Sequence, residues 1–211
     1  MTKDTEIKSN DYHDYVIKDG KFIGKFEEMY KKCENPWPET EEALEFSPVS
    51  SRTPVIINAY GHKKIFSVGS GKGMHLNWLK KQCPHINVSG CEISPTAVKY
   101  CREMYPDIQV CALDVRDFPK HTFDFDLLLL REVVWYILDC WHSFCAHLKK
   151  EYKGKNIIVE LSFYDNQSYG NEFFNGPEEF VEKFPFEIIE VVRHHVTRKQ
   201  REGMLFLYGR I

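Results

Sequence analysis

Short apolar runs recur along this chain at residues 64–68, 86–91, 108–113, 123–130 and 156–163. In the fourth of these runs the apolar residues follow one another, Leu127-Leu128-Leu129-Leu130, rather than alternating with polar ones. That is the pattern of strands buried on both faces of a parallel sheet. The stretches between them read as helices. Ser94 is a good N-cap and Pro95 occupies the favoured first helical position, so a helix starts there and runs to Tyr105-Pro106. Residues 134–150 place Ile137, Leu138, Trp141, Phe144, Cys145 and Leu148 at a helical period leading to a Lys153-Gly154 turn. Shorter helices are predicted up to Tyr60 and over residues 177–183. The tail holds two alternating runs, 186–196 and 204–211, around a charged turn at 198–203, which predicts a hairpin. Strands alternating with helices make an α/β fold, a Rossmann-like sheet with helices on both faces.

The first run breaks into glycines at 69, 71 and 73, in KIFSVGSGKG, and the second closes on Glu92. Closely spaced glycines let the chain turn tightly and admit a ligand against the main chain, facing the N–H groups of the next helix. A carboxylate at the tip of the neighbouring strand can accept both hydrogens of a ribose diol. Together they predict a nucleoside-cofactor site. A dinucleotide loop favours G-x-G-x-x-G, and Met74 stands where its third glycine belongs, which weighs against a nicotinamide or flavin cofactor. The third run ends on Asp114, followed by Val115-Arg116-Asp117, so a second carboxylate lies at the next strand tip.

Residues 64–165 resemble the core of the class I S-adenosylmethionine-dependent methyltransferases. The features shared are the glycine loop, acidic residues after the second and third strands, and a strand opening on Phe-Asp. The resemblance implies a seven-stranded, mostly parallel sheet with an antiparallel last strand. It also implies that Gly69, Ser70, Gly71 and Gly73 wrap the methionine part of the cofactor and that Glu92 binds its ribose. Ile93 would pack on the adenine, Asp114 and the backbone of Val115 would hold the adenine amino group, and Arg131 would lie beneath the reactive methyl. The stretch FEEMYKKCENPWPE at 26–39 resembles the opening of nodulation-type N-methyltransferases and bacterial relatives associated with surface-carbohydrate modification. The implied reaction is methyl transfer to nitrogen or oxygen of a small acceptor, a carbohydrate or nucleotide-linked precursor of surface polysaccharide. A nicotinamide-dependent oxidoreductase and a noncatalytic protein that binds S-adenosylmethionine are the alternatives.

Composition narrows the partners. The 211 residues suffice for one sizeable core, and no apolar stretch nears the roughly 20 residues that span a bilayer. A net charge of −3, with short basic clusters beside acids, offers no footprint for nucleic acid. Arg131-Glu132-Val133-Val134 also stands where DNA amino-methyltransferases carry their Asn/Asp-Pro-Pro signature. Seven cysteines without a C-x-x-C pair read as reduced core residues of a cytoplasmic protein, not as metal ligands. Either a monomer or a homodimer is compatible with this sequence.

Residues 1–60 precede the cofactor core and are expected to form a substrate lid over the methyltransferase domain of 61–211. Tyr12, His13, Phe26, Tyr30 and Trp37 bring aromatic and polar groups to it. Arg131 and Glu132, at the end of the fourth strand, are the first candidates for contact with the acceptor, followed by His13 and Tyr12. Arg52 is a candidate for the cofactor's carboxylate. Lys72 and His142 read as surface residues, and alternation puts His194 and His195 on opposite faces.

Overall fold

The computed structural model describes residues 12–37, 39–165, 167–195 and 203–211. After a 3-10 turn at Tyr12–Asp14, β1 (Ile17–Lys18) and β2 (Lys21–Phe22) form a small hairpin. Its two loop residues, Asp19 and Gly20, both have positive φ (52° and 70°), as a tight turn of the primed type needs. Helices α1 (Phe26–Lys32), α2 (Glu41–Phe46) and α3 (Arg52–Tyr60) follow.

The central part then alternates strand and helix: β3 (Lys64–Val68), α4 (Met74–Gln82), β4 (Asn87–Glu92), α5 (Pro95–Met104), β5 (Gln109–Ala112) and β6 (Leu127–Arg131). Then come α6 (Trp141–Glu151), β7 (Asn156–Phe163), α7 (Pro177–Glu182), β8 (Glu187–His194) and β9 (Gly203–Arg210). Seven strands form one sheet in the order β5-β4-β3-β6-β7-β9-β8. Strands β3 to β7 pair in parallel, and β9 runs antiparallel to both its neighbours. The sheet is the one expected from the tail hairpin and the consecutive apolar runs.

Burial on both faces follows the two-residue period. Phe66, Val68, Leu128, Leu130, Ile157 and Val159 join the core on one face, against α6 and α7. Ile65, Leu127, Leu129, Ile158 and Phe206 join the core on the other, with α3, α4 and α5. The order also fixes where a ligand can sit. Strand β3 has β4 on one side and β6 on the other, so consecutive crossovers leave in opposite directions and open a crevice at the strands' C-terminal ends.

Two predicted elements change form. The helix expected from residue 134 begins as two 3-10 turns, Val134–Tyr136 and Leu138–Cys140, and becomes α-helical only at Trp141. The buried Trp135 donates its indole N–H to the carbonyl of Ser162 at 3.0 Å, a tie to β7 made by the first of these turns. The segment 123–126 precedes β6 rather than belonging to it: Asp126 accepts backbone N–H bonds from Lys63 (2.8 Å) and Lys64 (3.2 Å) and pins the start of β3.

Candidate functional site

Beyond Val68 the chain turns through Gly69, Gly71 and Gly73 with φ of 71°, 54° and 84°. This left-handed run is open to glycine and strained for other residues. The N–H groups of Gly69 and Ser70 donate to the carbonyl of Cys91 at 2.9 and 3.0 Å, fastening the loop to the end of β4. Gly73 has a packing reason as well. A Cβ there would stand 2.3 Å from the Cys101 sulfur, so its absence lets α4 start directly against α5.

Glu92 is buried at the tip of β4. One carboxylate oxygen accepts the Gly71 N–H at 2.9 Å and the other accepts the Ser94 N–H at 3.0 Å. Burial raises its pKa, and the backbone N–H groups oppose that shift. A carboxylate offers about four lone-pair sites, so these bonds leave room for a ligand hydroxyl. Ile93 beside it is 41% exposed, an apolar side chain presented at the cavity. Asp114, after β5, accepts the Arg116 N–H at 2.9 Å and pairs with its guanidinium at 3.1 Å; Val115 is buried.

The opposite wall is made of side chains. Glu160, in the middle of β7, is 1% exposed and holds three donors: Ser50 Oγ at 2.9 Å, Thr53 Oγ1 at 2.5 Å and Arg131 Nε at 3.1 Å. Arg131 also pairs with Glu39 from the N-terminal segment. Glu132 adopts a left-handed φ of 52°, uncommon outside glycine, and its carboxylate accepts the Ser162 N–H at 3.1 Å and hydroxyl at 2.6 Å.

Between these walls lies a cavity of about 1120 Å³. Small-molecule sites usually measure about 300–1,000 Å³, so this one has room for a cofactor and a second molecule. Aromatic rings cover it. Tyr136 sits among Phe26 (5.2 Å between ring centres), Trp37 (6.1 Å) and Phe22 (6.2 Å), and Tyr12 packs on Trp37 at 4.7 Å. Tyr30 beneath them accepts the Trp37 indole N–H at 2.8 Å. The N-terminal segment is clamped to the core at Glu27. That carboxylate takes hydrogen bonds from Ser94 Oγ (2.5 Å), Thr96 N (3.1 Å) and Thr96 Oγ1 (2.7 Å) at the start of α5.

The cavity brings together Gly69, Ser70, Gly71, Glu92, Ile93, Asp114, Val115, Arg131, Glu132 and Tyr12 from the expected residues. Gly73 lies under the loop, outside the lining, and acts through helix packing. Arg52 is outside as well. Its guanidinium makes a two-bond pair with Glu190 of β8, at 2.5 and 2.8 Å, which places it on the sheet's far flank rather than at a cofactor carboxylate. His13 is exposed, its ring centre 3.9 Å from that of Tyr12 in a tilted pair, and it does not line the cavity.

Sequence reasoning missed His75. It stands in the first turn of α4, lines the cavity, is 7% exposed, and its Nε2 has no hydrogen-bond partner among the described residues. Burial, with the Arg131 charge nearby, holds its pKa well below the usual imidazole range, so the ring is neutral. Its position directly after the glycine loop was the available signal. Glu39 and Tyr136 were missed too, although Glu39 closes the 26–39 stretch quoted above.

Residues 65–160 match the family model described as a methyltransferase domain. No curated protein matches the chain by sequence. Among solved structures, the chain is similar to N-methyltransferase NodS from Bradyrhizobium japonicum WM9 in complex with S-adenosyl-L-homocysteine. The identity is 16%, over 84% of this chain and 92% of that one, with a TM-score of 0.59. The methyltransferase domain of bacterial CtHen1 is 12% identical over 82% of this chain and all of that one (100%), with a TM-score of 0.61. Magnesium protoporphyrin IX methyltransferase ChlM from Synechocystis PCC 6803, with bound S-adenosylmethionine, is 13% identical over 81% and 78%, with a TM-score of 0.56. The domain match replaces the nicotinamide alternative. With the glycine loop, the acidic strand tips and the antiparallel last strand all in place, residues 65–160 carry a methyltransferase domain and the chain has the class I methyltransferase fold.

Proposed function

We propose that this protein methylates nitrogen or oxygen of a small carbohydrate-class acceptor, held between the glycine loop and the aromatic cover formed by residues 12–60. The observation that carries the reading is the cavity itself: one wall is backbone and carboxylate suited to an adenosyl ligand, aromatic side chains cover the rest, and both border one space. The glycine loop would cradle the methionyl part of the cofactor, Glu92 the ribose, Ile93 the adenine face, and Asp114 with Val115 the adenine amino group. When bound, the cofactor supplies a methyl group on a sulfonium.

The chain's own contribution is alignment. Holding an acceptor in a near-attack geometry can supply several kcal/mol. Arg131, committed to Glu39 and Glu160, positions the two walls instead of gripping substrate. Of the acceptor classes considered above, a nucleotide-linked one fits less well. Its phosphates would need a cationic cradle. The lining's three cationic side chains are all engaged: Arg131 as described, Arg116 with Asp114 and Asp139, and Lys72 with the Glu34 carbonyl and the Tyr100 ring.

Calorimetry with S-adenosylhomocysteine tests the assignment. The wild-type protein should bind it saturably. Glu92→Ala should weaken binding about 100-fold, as expected for removing two hydrogen bonds to a charged group. Undiminished affinity in that variant discards the ribose contact, and no binding to the wild-type protein discards the reading as a whole.

A further inference from the structure

We propose that Tyr136 holds the acceptor: its phenol hydroxyl makes a hydrogen bond to an uncharged oxygen or nitrogen group of a ring-shaped acceptor seated in the aromatic part of the cavity. This rests on the methyl-transfer reading above and gives it an acceptor contact. Tyr136 is half-buried and lines the cavity, with Phe22, Phe26 and Trp37 around its ring. Its hydroxyl makes no hydrogen bond among the described residues. Other polar groups of the same space are already engaged. Tyr30 accepts the Trp37 indole N–H at 2.8 Å, Arg131 pairs with Glu39 and Glu160, and Glu132 accepts from Ser162. A polar group enclosed in a fold almost always has a partner, so a phenol without one in a ligand-sized space points to a ligand. The rings beside it offer apolar faces on which a ring can lie.

The fold aims this side chain. Glu132, just after β6, takes its left-handed φ of 52° where the chain leaves the strand for the 3-10 turn Val134–Tyr136. Ser162 of β7 fixes that turn by three hydrogen bonds: its N–H and hydroxyl donate to the Glu132 carboxylate, and its carbonyl accepts the Trp135 indole N–H. Trp135 is thereby set in the core while its neighbour Tyr136 faces the cavity. Backbone strain held in place by surrounding bonds is concentrated at ligand sites. Electrostatics then define what the hydroxyl can do. Burial first, and then Tyr12, Glu132, Tyr164 and Tyr30, push its pKa well above the usual phenol range, so it stays uncharged at neutral pH. Such a phenol can give one hydrogen and accept another, which suits an alcohol or an uncharged amine. It orients the acceptor and does not deprotonate it.

Two saturated rings that differ in one group test this without relying on turnover. Cyclohexanol and fluorocyclohexane have nearly the same shape, and only the alcohol can both give and accept a hydrogen bond. Their affinities for the protein loaded with S-adenosylhomocysteine can be read by NMR titration. Tyr136→Phe keeps the ring and should weaken cyclohexanol about tenfold, while changing fluorocyclohexane by less than about twofold. Tyr30→Phe removes a hydroxyl already bonded to Trp37 and should change the ratio of the two affinities by less than about twofold. The proposal is overturned if neither ring binds the wild-type protein, if Tyr136→Phe weakens both alike or neither, or if Tyr30→Phe weakens cyclohexanol as much as Tyr136→Phe does. Failure to load S-adenosylhomocysteine in the first place would strike the methyl-transfer reading instead, so the two failures are distinguishable.

Discussion

The two walls of the cavity are built on different principles. The loop wall is local backbone chemistry: glycines with left-handed φ, N–H groups bonded to the Cys91 carbonyl, and Glu92 tying residues 71 and 94 together. The opposite wall joins side chains from remote parts of the chain, Glu39 to Arg131, Arg131 to Glu160, and Ser50 and Thr53 to Glu160. A wall of the first kind keeps its shape because few backbone conformations fit it. A wall of the second kind keeps its shape only while every charge has its partner, because an unpaired buried charge is strongly destabilising.

The sharpest way to break the contrast is Arg131→Met. It leaves Glu160 buried with only two hydroxyl donors, and urea denaturation should show a loss of about 3–5 kcal/mol. Adding Glu160→Gln should recover much of that loss, since the stranded charge is then gone. A loss under about 1 kcal/mol in the single variant would mean that the ion network does not hold the wall.

On the loop side the corresponding change is Gly73→Ala. At φ 84° and with Cys101 Sγ 2.3 Å from the new methyl group, it should cost about 1–3 kcal/mol. Cys101→Ala removes the clashing sulfur and should return part of that. No recovery would show that backbone strain, and not helix approach, sets the requirement for glycine.

The smallest effect concerns the clamp between the walls. Burial pulls the Glu27 pKa up, but hydrogen bonds from Ser94, Thr96 and Lys31 outweigh it and hold the carboxyl at about 2, below its ordinary 4.5. A carboxyl depressed in the folded state stabilises above its unfolded pKa, and that contribution is lost as pH falls from about 4.5 through about 2. The side chain is 36% exposed, so the contribution is discounted for solvent screening to about 1 kcal/mol. Denaturation of wild type and Glu27→Gln between pH 7 and pH 3 should show their difference shrinking towards acid. A difference independent of pH would place Glu27's role in packing instead of charge.

Much of the sheet was legible because its signals are short-range. The fifth apolar run became β7 with the same bounds, and Ser94 caps α5 by accepting the Ala97 N–H at 3.2 Å. The Asp19-Gly20 hairpin turn was not among the expected elements, although its chemistry lies in two adjacent residues. Arg52 shows the limit. Nothing near it in sequence announces Glu190, 138 residues later, which takes both arms of its guanidinium. Tyr12 and His13 are neighbours, yet one lines the cavity and the other does not, a difference set by packing on Trp37. The expected turn at 198–203 falls almost wholly outside the described residues.

By itself the sequence determined the alternating strands and helices, the glycine bend and the carboxylate at the neighbouring strand tip, because each depends on backbone preferences and residue periods contained within a few positions. Only the tertiary structure decided which charges meet, which rings surround Tyr136 and which histidine reaches the cavity. Those partners lie far apart in the chain, and they converge once the sheet order sets β6 between β3 and β7 and the N-terminal segment closes over their ends.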